Sequence, residues 1–291
     1  MIQRLRQILH TKRIGHTGTL DPGASGVLLA CVGKATKVVQ FLTEYDKQYE
    51  AVIKLGITTD TYDREGKITK VREDFKISSD KIRKVIDSFK GKIWQTPPLH
   101  SAIKYKGKKL YQYARAKKKV KVKKREVEIK DIEVLGIDIP YVELKIGCSK
   151  GTYVRSLAFD VGEELGCGAH LFSLRRTRVG PFKLADALDL ENVSDLQDEG
   201  KIPDTLVPLE KALAHLPSVV VTKSFAEKVK HGTPLVSLSV LSTEGDFEKN
   251  GTVSIKDDRK NIIAIGKALS PAEEFLDLKH KKKLFEYIRV I

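Results

Sequence analysis

Cysteines and long uncharged apolar runs are scarce in this sequence. The chain has only three cysteines, and no two of them form a C-x-x-C pair. This argues against a disulfide framework or a structural zinc and is typical of a reducing cytoplasm. The uncharged run 22–33 is too short to cross a bilayer. The Arg-rich N-terminus leads directly into a glycine-rich motif, so we interpret it as a domain helix rather than a targeting peptide.

Acidic residues are also few relative to basic ones. The chain has 38 Asp and Glu against 53 Lys and Arg, a net charge of +15, which favours nucleic acid or another anionic surface as partner. Residues 104–125 hold twelve Lys or Arg and no acid. So many like charges repel each other unless an anion lies alongside. We interpret the segment as a basic arm that grips a phosphate backbone; a disordered solubilising loop is the alternative.

One carboxylate, Asp21, stands among four glycines in the stretch G-H-T-G-T-L-D-P-G-A-S-G at 15–26. Glycine permits backbone conformations closed to other residues and close approach of another molecule. The stretch lacks the Lys-Ser/Thr of a nucleotide-binding loop, and it is one residue short of the G-x-S-x-G elbow of serine hydrolases. It therefore predicts a presented nucleophile or base at Asp21, with a surface turn lacking chemistry as the alternative.

The predicted elements alternate irregularly, which favours an α+β fold over a doubly wound one. Short β-like pieces after about 208 indicate a small β-rich second domain. The predicted helices are one before the glycine-rich motif, 37–45, 82–89 with a cap at Ser79, and one after Thr152. The predicted strands are 27–32, 49–55, 127–135 and 142–148, with a turn at 63–66.

Five separated segments resemble the bacterial TruB-type tRNA pseudouridine synthases, which isomerise the T-loop uridine of tRNA at position 55. They are G-H-T-G-T-L-D-P with the following G-V-L at 15–28, D-K-Q-Y-E-A at 46–51, Q-T-P-P-L-H-S-A-I-K-Y-K-G-K-K-L-Y-Q-Y-A-R at 95–115, C-S-K-G-T-Y-V-R at 148–155, and L-G-C-G-A-H-L-F-S-L-R-R-T-R-V-G-P-F at 165–182. The tail, with H-G-T-P-L near 231, resembles a PUA-type RNA-binding domain more loosely. The sequence departs from the family at two places. It lacks the family's opening K-P-x-G-x-T-S segment, and it has His100 where the family tends to have Tyr.

The resemblance implies a mixed, mainly antiparallel central sheet flanked by helices. It implies a catalytic domain over 1–207, with an RNA-gripping thumb loop at about 104–125, and a PUA-like domain over 208–291. Pseudouridine formation involves no redox change, hydrolysis or group donor, so we expect no cofactor and no metal. The expected partner is the T arm of tRNA. We expect the protein to bind it as a monomer and to have no membrane partner.

The resemblance also implies a role for each matching residue. Asp21 would be the nucleophile, attacking either C6 of the base or C1′ of the ribose, and Arg155 would pair with it. Tyr49 and Tyr153 would lie against an extruded uracil, with Leu174 closing the apolar wall. His16 would support the extruded state. The candidate RNA-binding lysines are Lys37, Lys104, Lys117, Lys118 and Lys119, joined by the K-H-K-K-K run at 279–283.

Two other functions stay open on the sequence. A non-catalytic tRNA-binding or RNA-folding protein would use the same basic arm and tail. A glycosidase could use a carboxylate near C1′ to direct hydrolysis. The three functions differ in their products: a C-linked uridine, no change, or free uracil.

Overall fold

The computed structural model describes residues 1–116, 118, 120–229, 231–276 and 283–291. The chain forms two compact units, each assembled from separate parts of the sequence. The central unit comprises Gly18–Leu29 and Glu44–Ala187, and the terminal unit comprises Met1–Thr17, Ala30–Thr43 and Leu188–Ile291. The domain boundary between 207 and 208 stays a prediction.

Helices and strands are mostly short. The α-helices are α1 (Ile2–Ile8), α2 (Val39–Leu42), α3 (Ser79–Asp87), α4 (Leu110–Arg115), α5 (Val154–Leu165), α6 (Leu190–Asp198), α7 (Ile202–Thr205), α8 (Leu209–Ala212) and α9 (Lys223–Val229), with 3₁₀ turns at Gly33–Val38, Leu184–Asp186, Ser237–Ser239 and Ala272–Phe275. The strands are β1 (Ile14–His16), β2 (Ala24–Gly26), β3 (Ala30–Val32), β4 (Lys47–Leu55), β5 (Ile57–Thr59), β6 (Ile68–Val71), β7 (Gly91–Gln95), β8 (Lys104–Tyr105), β9 (Lys108–Lys109), β10 (Arg125–Asp138), β11 (Tyr141–Cys148), β12 (Ala169–Val179), β13 (Phe182–Lys183), β14 (Ser218–Val221), β15 (Val240–Glu244), β16 (Thr252–Lys256), β17 (Ile262–Ala268) and β18 (Phe285–Val290).

The central unit is built on a seven-stranded sheet. Its strand order is β13-β12-β4-β11-β10-β7, all antiparallel, and β2 pairs with β12 in parallel. Strand β4 buries Tyr49, Ala51 and Ile53 on one face, while Glu50 between them is exposed. This alternation is the period of a strand with one face in the core. The predicted mixed, mainly antiparallel sheet is confirmed.

Helices α3 and α5 supply the rest of the central core. Ile82 and Ile86 of α3 are buried in the same cluster as the inward face of β4. The predicted cap of α3 is wrong by one residue, because the Ser78 hydroxyl accepts the N–H of Lys81 at 3.3 Å and Ser79 already lies in the helix. A serine three residues before the satisfied N–H has the geometry of an N-cap.

Helix α5 crosses the core with its N-terminus at the candidate site. Leu157 and Val161 are fully buried, and the helix ends at Gly166, whose φ of 79° is left-handed. Glycine adopts this conformation without strain and is therefore a common helix stop. The helix begins just after Tyr153 and carries Arg155 in its first turn.

The apolar run 27–32 is not the single buried strand that the sequence predicts. Instead β2 ends at Gly26 and pairs with β12 in the central unit. Strand β3 begins at Ala30 and pairs with β1 in the terminal unit. Residues 27–29 thus lie between two strands that have different partners, and only the last three residues of the run form a strand. The predicted helix 37–45 is shifted: it is a 3₁₀ turn followed by α2, which ends at Leu42.

The terminal unit contains the predicted β-rich region. Its five-stranded sheet has the order β15-β14-β16-β17-β18, with β14 and β16 parallel. Val219, Val253, Phe275 and Phe285 are completely buried in its core. Helix α1 lies in the same unit and packs against α6.

None of the helices in the described ranges is long and apolar enough to cross a membrane. The three cysteines are free, and each is buried. Burial raises the pKa of the Cys31 and Cys148 thiols to about 11. Because the thiolate is the reactive form, both thiols are inert at neutral pH.

We expect Glu244 to stabilise the terminal unit in a pH-dependent way. Hydrogen bonds from Lys256, Lys260 and Ser218 lower its pKa from 4.5 to about 2. A carboxyl whose pKa is lowered by folding contributes stability above its ordinary pKa and loses it as the pH falls toward 2. The side chain is 38% exposed, so Glu244→Gln should lower the melting temperature at pH 7 by only roughly 1–3 °C.

Calorimetric scans between pH 7 and pH 2 test this expectation. The difference between wild type and Glu244→Gln should shrink toward zero as the pH falls. A difference that stays constant over this range would contradict an ionic origin.

Candidate active site

The segment 18–27 holds Asp21 on a turn beside β12. The N–H of Ala24 donates to the carbonyl of Asp21 at 2.9 Å, and the chain then continues into β2. At Gly26, φ is +107° and an added Cβ would lie 2.2 Å from the carbonyl oxygen of Arg176. Only glycine fits here, since a side chain would be both strained and blocked by backbone. Close packing on β12 therefore accounts for this glycine of the motif.

Arg155 joins two carboxylates. Its Nη2 lies 2.9 Å from Oδ1 of Asp21, and its Nη1 lies 3.1 Å from Oδ2 of Asp63. The Arg155 side chain is 6% exposed, compared with 18% for Asp63 and 38% for Asp21. Nη2 also donates to the carbonyl of His100 at 3.1 Å. Arg155 is thus buried and held by its hydrogen bonds, and Asp21 is the most exposed member of the group, which solvent or a ligand can reach.

Asp63 is the site residue that the sequence did not reveal. The sequence predicts only a turn at 63–66. In the structure, Oδ1 of Asp63 accepts the Thr61 hydroxyl at 2.6 Å and the N–H of Glu65 at 3.1 Å. These bonds leave Oδ2 for Arg155. The one signal in the sequence was a second carboxylate in a glycine-containing turn. Acidic residues are common in such turns without any catalytic role.

The Asp21 carboxyl is harder to ionise than an ordinary aspartate. Partial burial raises its pKa above 3.8, and the neighbouring charge of Asp63 raises it further. The Arg155 guanidinium opposes both effects through its charge and its hydrogen bond. Desolvation disfavours the anion, whereas a cation in contact favours it. Arg155 therefore favours the ionised form of Asp21, although the pKa of this carboxyl stays above that of an ordinary aspartate.

Two tyrosines lie close to the carboxylate. Tyr49 is 9% exposed, and burial raises its pKa to about 12. The Tyr153 N–H donates to Oε1 of Gln95 at 2.8 Å, and burial raises the pKa of Tyr153 as well. The charge of Asp21 contributes to the raised pKa of both tyrosines. Both phenols therefore stay neutral at physiological pH.

Leu174 lies in the central sheet, on the strand next to the segment of Asp21. On β12 it is paired with Ala24 of β2 on one side and with Ala51 of β4 on the other. Its side chain packs against the central core cluster. The fold therefore brings Asp21, Arg155 and the three predicted wall residues into one region of the central unit.

His16 and Lys37 belong to the terminal unit. His16 ends β1, paired with Ala30 of β3. Lys37 lies in the 3₁₀ turn, and its Nζ donates to the carbonyl of Val290 at 2.9 Å. Their predicted roles toward RNA stay predictions.

The basic arm begins with ordered structure. Strands β8 and β9 form a hairpin that includes Lys104, and α4 follows. The Tyr113 hydroxyl donates to the carbonyl of Tyr105 at 3.0 Å, and their rings meet edge to face. Lys118 is exposed. Lys117 and Lys119 lie outside the described residues, as does most of the basic run near 279–283.

In the described ranges, no three His, Cys, Asp or Glu side chains come together in a way that could hold a metal ion. Arg155 forms ion pairs with both carboxylates of the site. The arrangement can present one oxygen nucleophile beside apolar and aromatic surface.

Three family matches together cover nearly the whole chain. Residues 6–154 match the N-terminal domain of the TruB family of pseudouridylate synthases. Residues 155–214 match the C-terminal domain of tRNA pseudouridylate synthase B, and residues 217–291 match the PUA domain.

Individual proteins show the same similarity. The tRNA pseudouridine synthase B of Clostridium tetani is 44% identical over 241 residues, which are 83% of this chain and 82% of that protein. The protein of the same name from Francisella tularensis subsp. novicida is 41% identical over 266 residues, 90% of this chain and 84% of that protein. Among solved structures, a Cbf5-Nop10-Gar1 complex aligns with a TM-score of 0.79 at 32% identity, covering 99% of this chain and 79% of that one.

We expect Asp63→Asn to lower the pKa of Asp21. The substitution keeps the size of the side chain but removes a negative charge that raises this pKa. A ¹³C NMR titration of the aspartate carboxyls, assigned with Asp21→Asn, measures the change. Asp138→Asn, at an exposed position on β10 of the central sheet, should leave the pKa of Asp21 unchanged. A pKa that is unchanged or higher in Asp63→Asn would disprove the coupling.

Proposed function

The chain belongs to the TruB family of pseudouridine synthases, isomerases of uridine in tRNA, and we propose that it converts the T-loop uridine at position 55 with Asp21 as nucleophile. The observation that carries this proposal is the ion pair between Asp21 and Arg155, at 2.9 Å. It keeps a partly buried carboxylate ionised while leaving it within reach of a ligand.

The reaction breaks the bond between N1 of uracil and C1′ of the ribose and forms a bond from C1′ to a ring carbon. The carbon that is joined loses a proton, and N1 gains one. A nucleophile that attacks and later leaves is sufficient, provided the site holds the freed base in place. Asp21 can attack either C6 of the base or C1′ of the ribose. Because no electrons, water or donor group enter the product, the chemistry requires no cofactor, and we propose that the enzyme works without a metal.

In this proposal Asp21 reacts, and the other site residues hold either Asp21 or the uracil in place. Arg155 keeps Asp21 ionised and oriented through a charge-assisted hydrogen bond. Tyr49 and Tyr153 supply neutral aromatic surface for the uracil, and Leu174 completes the apolar wall. Aromatic stacking is the usual way to hold a base outside its helix.

A uridine inside a tRNA loop must leave its stack, which costs a few kcal/mol. We assign the compensating contacts to the basic arm at 104–125 and the basic tail, which would bind the phosphate backbone. His16 would support the extruded state. In this scheme residues 1–207 form the catalytic domain, and residues 208–291 form a PUA-like domain that binds RNA. The enzyme would act as a monomer in the cytoplasm, where tRNA is modified.

We expect Asp21→Asn to abolish uridine conversion. An amide is a poor nucleophile, so the single-turnover rate should fall by about a thousandfold or more, while tRNA affinity stays close to wild type. Digestion of treated tRNA followed by mass spectrometry detects the C-linked uridine, and filter binding gives the affinity. Asp138→Asn serves as the control with full activity.

The same assay separates the rival functions. A non-catalytic RNA-binding protein would leave every uridine unchanged and would not need Asp21. A glycosidase would release free uracil. Loss of tRNA binding in Asp21→Asn would instead make Asp21 a structural residue.

Neutralising the arm should weaken tRNA binding through its electrostatic component. In the variant Lys117→Gln/Lys118→Gln/Lys119→Gln, the slope of log affinity against log salt should become shallower by about 0.7 for each lost single-strand phosphate contact. The matched control, Lys70→Gln/Lys76→Gln/Lys84→Gln, removes the same charge from exposed positions outside the arm and should keep the wild-type slope. An unchanged slope in the arm variant would remove these lysines from the interface.

A further inference from the structure

A second arginine, Arg176, is buried beside the site, and the scheme above gives it no role. It lies on β12 and is 3% exposed. Within the described part of the chain, no carboxylate forms an ion pair with it, unlike Arg155. A buried cation without an anionic partner is costly, because it has given up its hydration. Its hydrogen bonds therefore show what holds it there.

The guanidinium binds both ends of the segment that carries Asp21. Nε donates to the carbonyl of Val27 at 2.7 Å, and Nη2 donates to the carbonyl of Gly18 at 3.1 Å. Asp21 lies between these two points in the chain. One rigid, planar group thus spans the base of the turn, which a lysine cannot do because its single nitrogen has no fixed fork geometry.

The same side chain reaches the aromatic wall. Arg176 lies opposite Tyr49 in the pairing of β12 with β4. Its positive charge lowers the pKa of Tyr49, against the larger effect of burial. One guanidinium therefore lies beside the ring of Tyr49 and holds the segment of Asp21.

The main chain of Arg176 tightens this attachment. Its carbonyl accepts the N–H of Val27 at 2.8 Å. Gly26 packs so closely on the Arg176 backbone that an added Cβ would lie 2.2 Å from the carbonyl oxygen. The segment has no space in which to shift at this end.

We propose that Arg176 is a positioning residue that fixes the segment of Asp21 and the ring of Tyr49 in one frame, so that the nucleophile and the base-binding wall keep a constant separation. The inference rests on the proposed function, since it assigns the arrangement a catalytic purpose. Two reacting groups held in a constant geometry react far faster than mobile ones, and a displacement of about 1 Å can cost about a hundredfold in rate.

The test compares Arg176→Lys with Arg175→Lys, which alters an exposed arginine on the same strand. In Arg176→Lys we expect the single-turnover rate to fall about a hundredfold while the Kd for tRNA changes by less than about threefold. Amide exchange of peptides covering 18–29 should become about tenfold faster as the segment loosens. Arg175→Lys should match wild type in all three measurements.

A double-mutant cycle with Tyr49→Phe distinguishes positioning from general stability. If Arg176 acts through the Tyr49 hydroxyl, the effects of the two substitutions on rate should be less than additive. Should Arg176→Lys fail to fold, Arg176→Gln replaces it, because a neutral amide is buried at lower cost and cannot span both carbonyls; it should also lower the rate with little change in Kd.

Faster amide exchange of 18–29 with an unchanged single-turnover rate in Arg176→Lys would overturn the proposal. Fully additive effects of Arg176→Lys and Tyr49→Phe on the rate would also overturn it. These outcomes differ from failure of the proposed function, in which the wild-type protein itself would make no C-linked uridine.

Discussion

The contact of Arg155 with Asp21 and Asp63 is the interaction on which the site depends. Two carboxylates so close together repel each other, and partial burial already disfavours the Asp21 anion. One buried guanidinium opposes both effects and contacts the two carboxylates at 2.9 and 3.1 Å. Removing Arg155 would leave two neighbouring carboxylates without their shared cation. The elements around the site serve to bring these three residues together.

The central sheet and α5 provide that arrangement. Arg155 projects from the first turn of a helix whose later turns are anchored in the core by Leu157 and Val161. Arg176 and β12 hold the opposite side of the turn through backbone carbonyls. Asp21, the proposed nucleophile, is thus held by one arginine at its carboxyl group, and a second arginine holds the main chain of its segment. Neither contact involves the lysines proposed to bind RNA.

Much of the fold follows from local patterns. Alternation in 49–55 predicts β4, because a strand with one buried face must repeat every two residues. The apolar spacing of 82–89 predicts α3, although its cap is Ser78 and not Ser79. The pattern fails at 27–32, since an apolar run does not indicate which strand each of its ends will join. The length of β10 exceeds the prediction for a similar reason: pairing with β7 and β11 extends it beyond its apolar stretch.

By itself, the amino-acid sequence determined the family, the α+β class and the basic character of the molecule, and it identified Asp21, Arg155 and Tyr49 as candidate site residues. These depend on composition and on contiguous motifs. Only the tertiary structure showed that Asp63 shares Arg155 and that Arg176 spans the segment of Asp21. Both contacts join residues more than ninety positions apart in the chain. Side-chain hydrogen bonds act over about 3 Å in space, so long-range chain folding alone decides which distant residues meet.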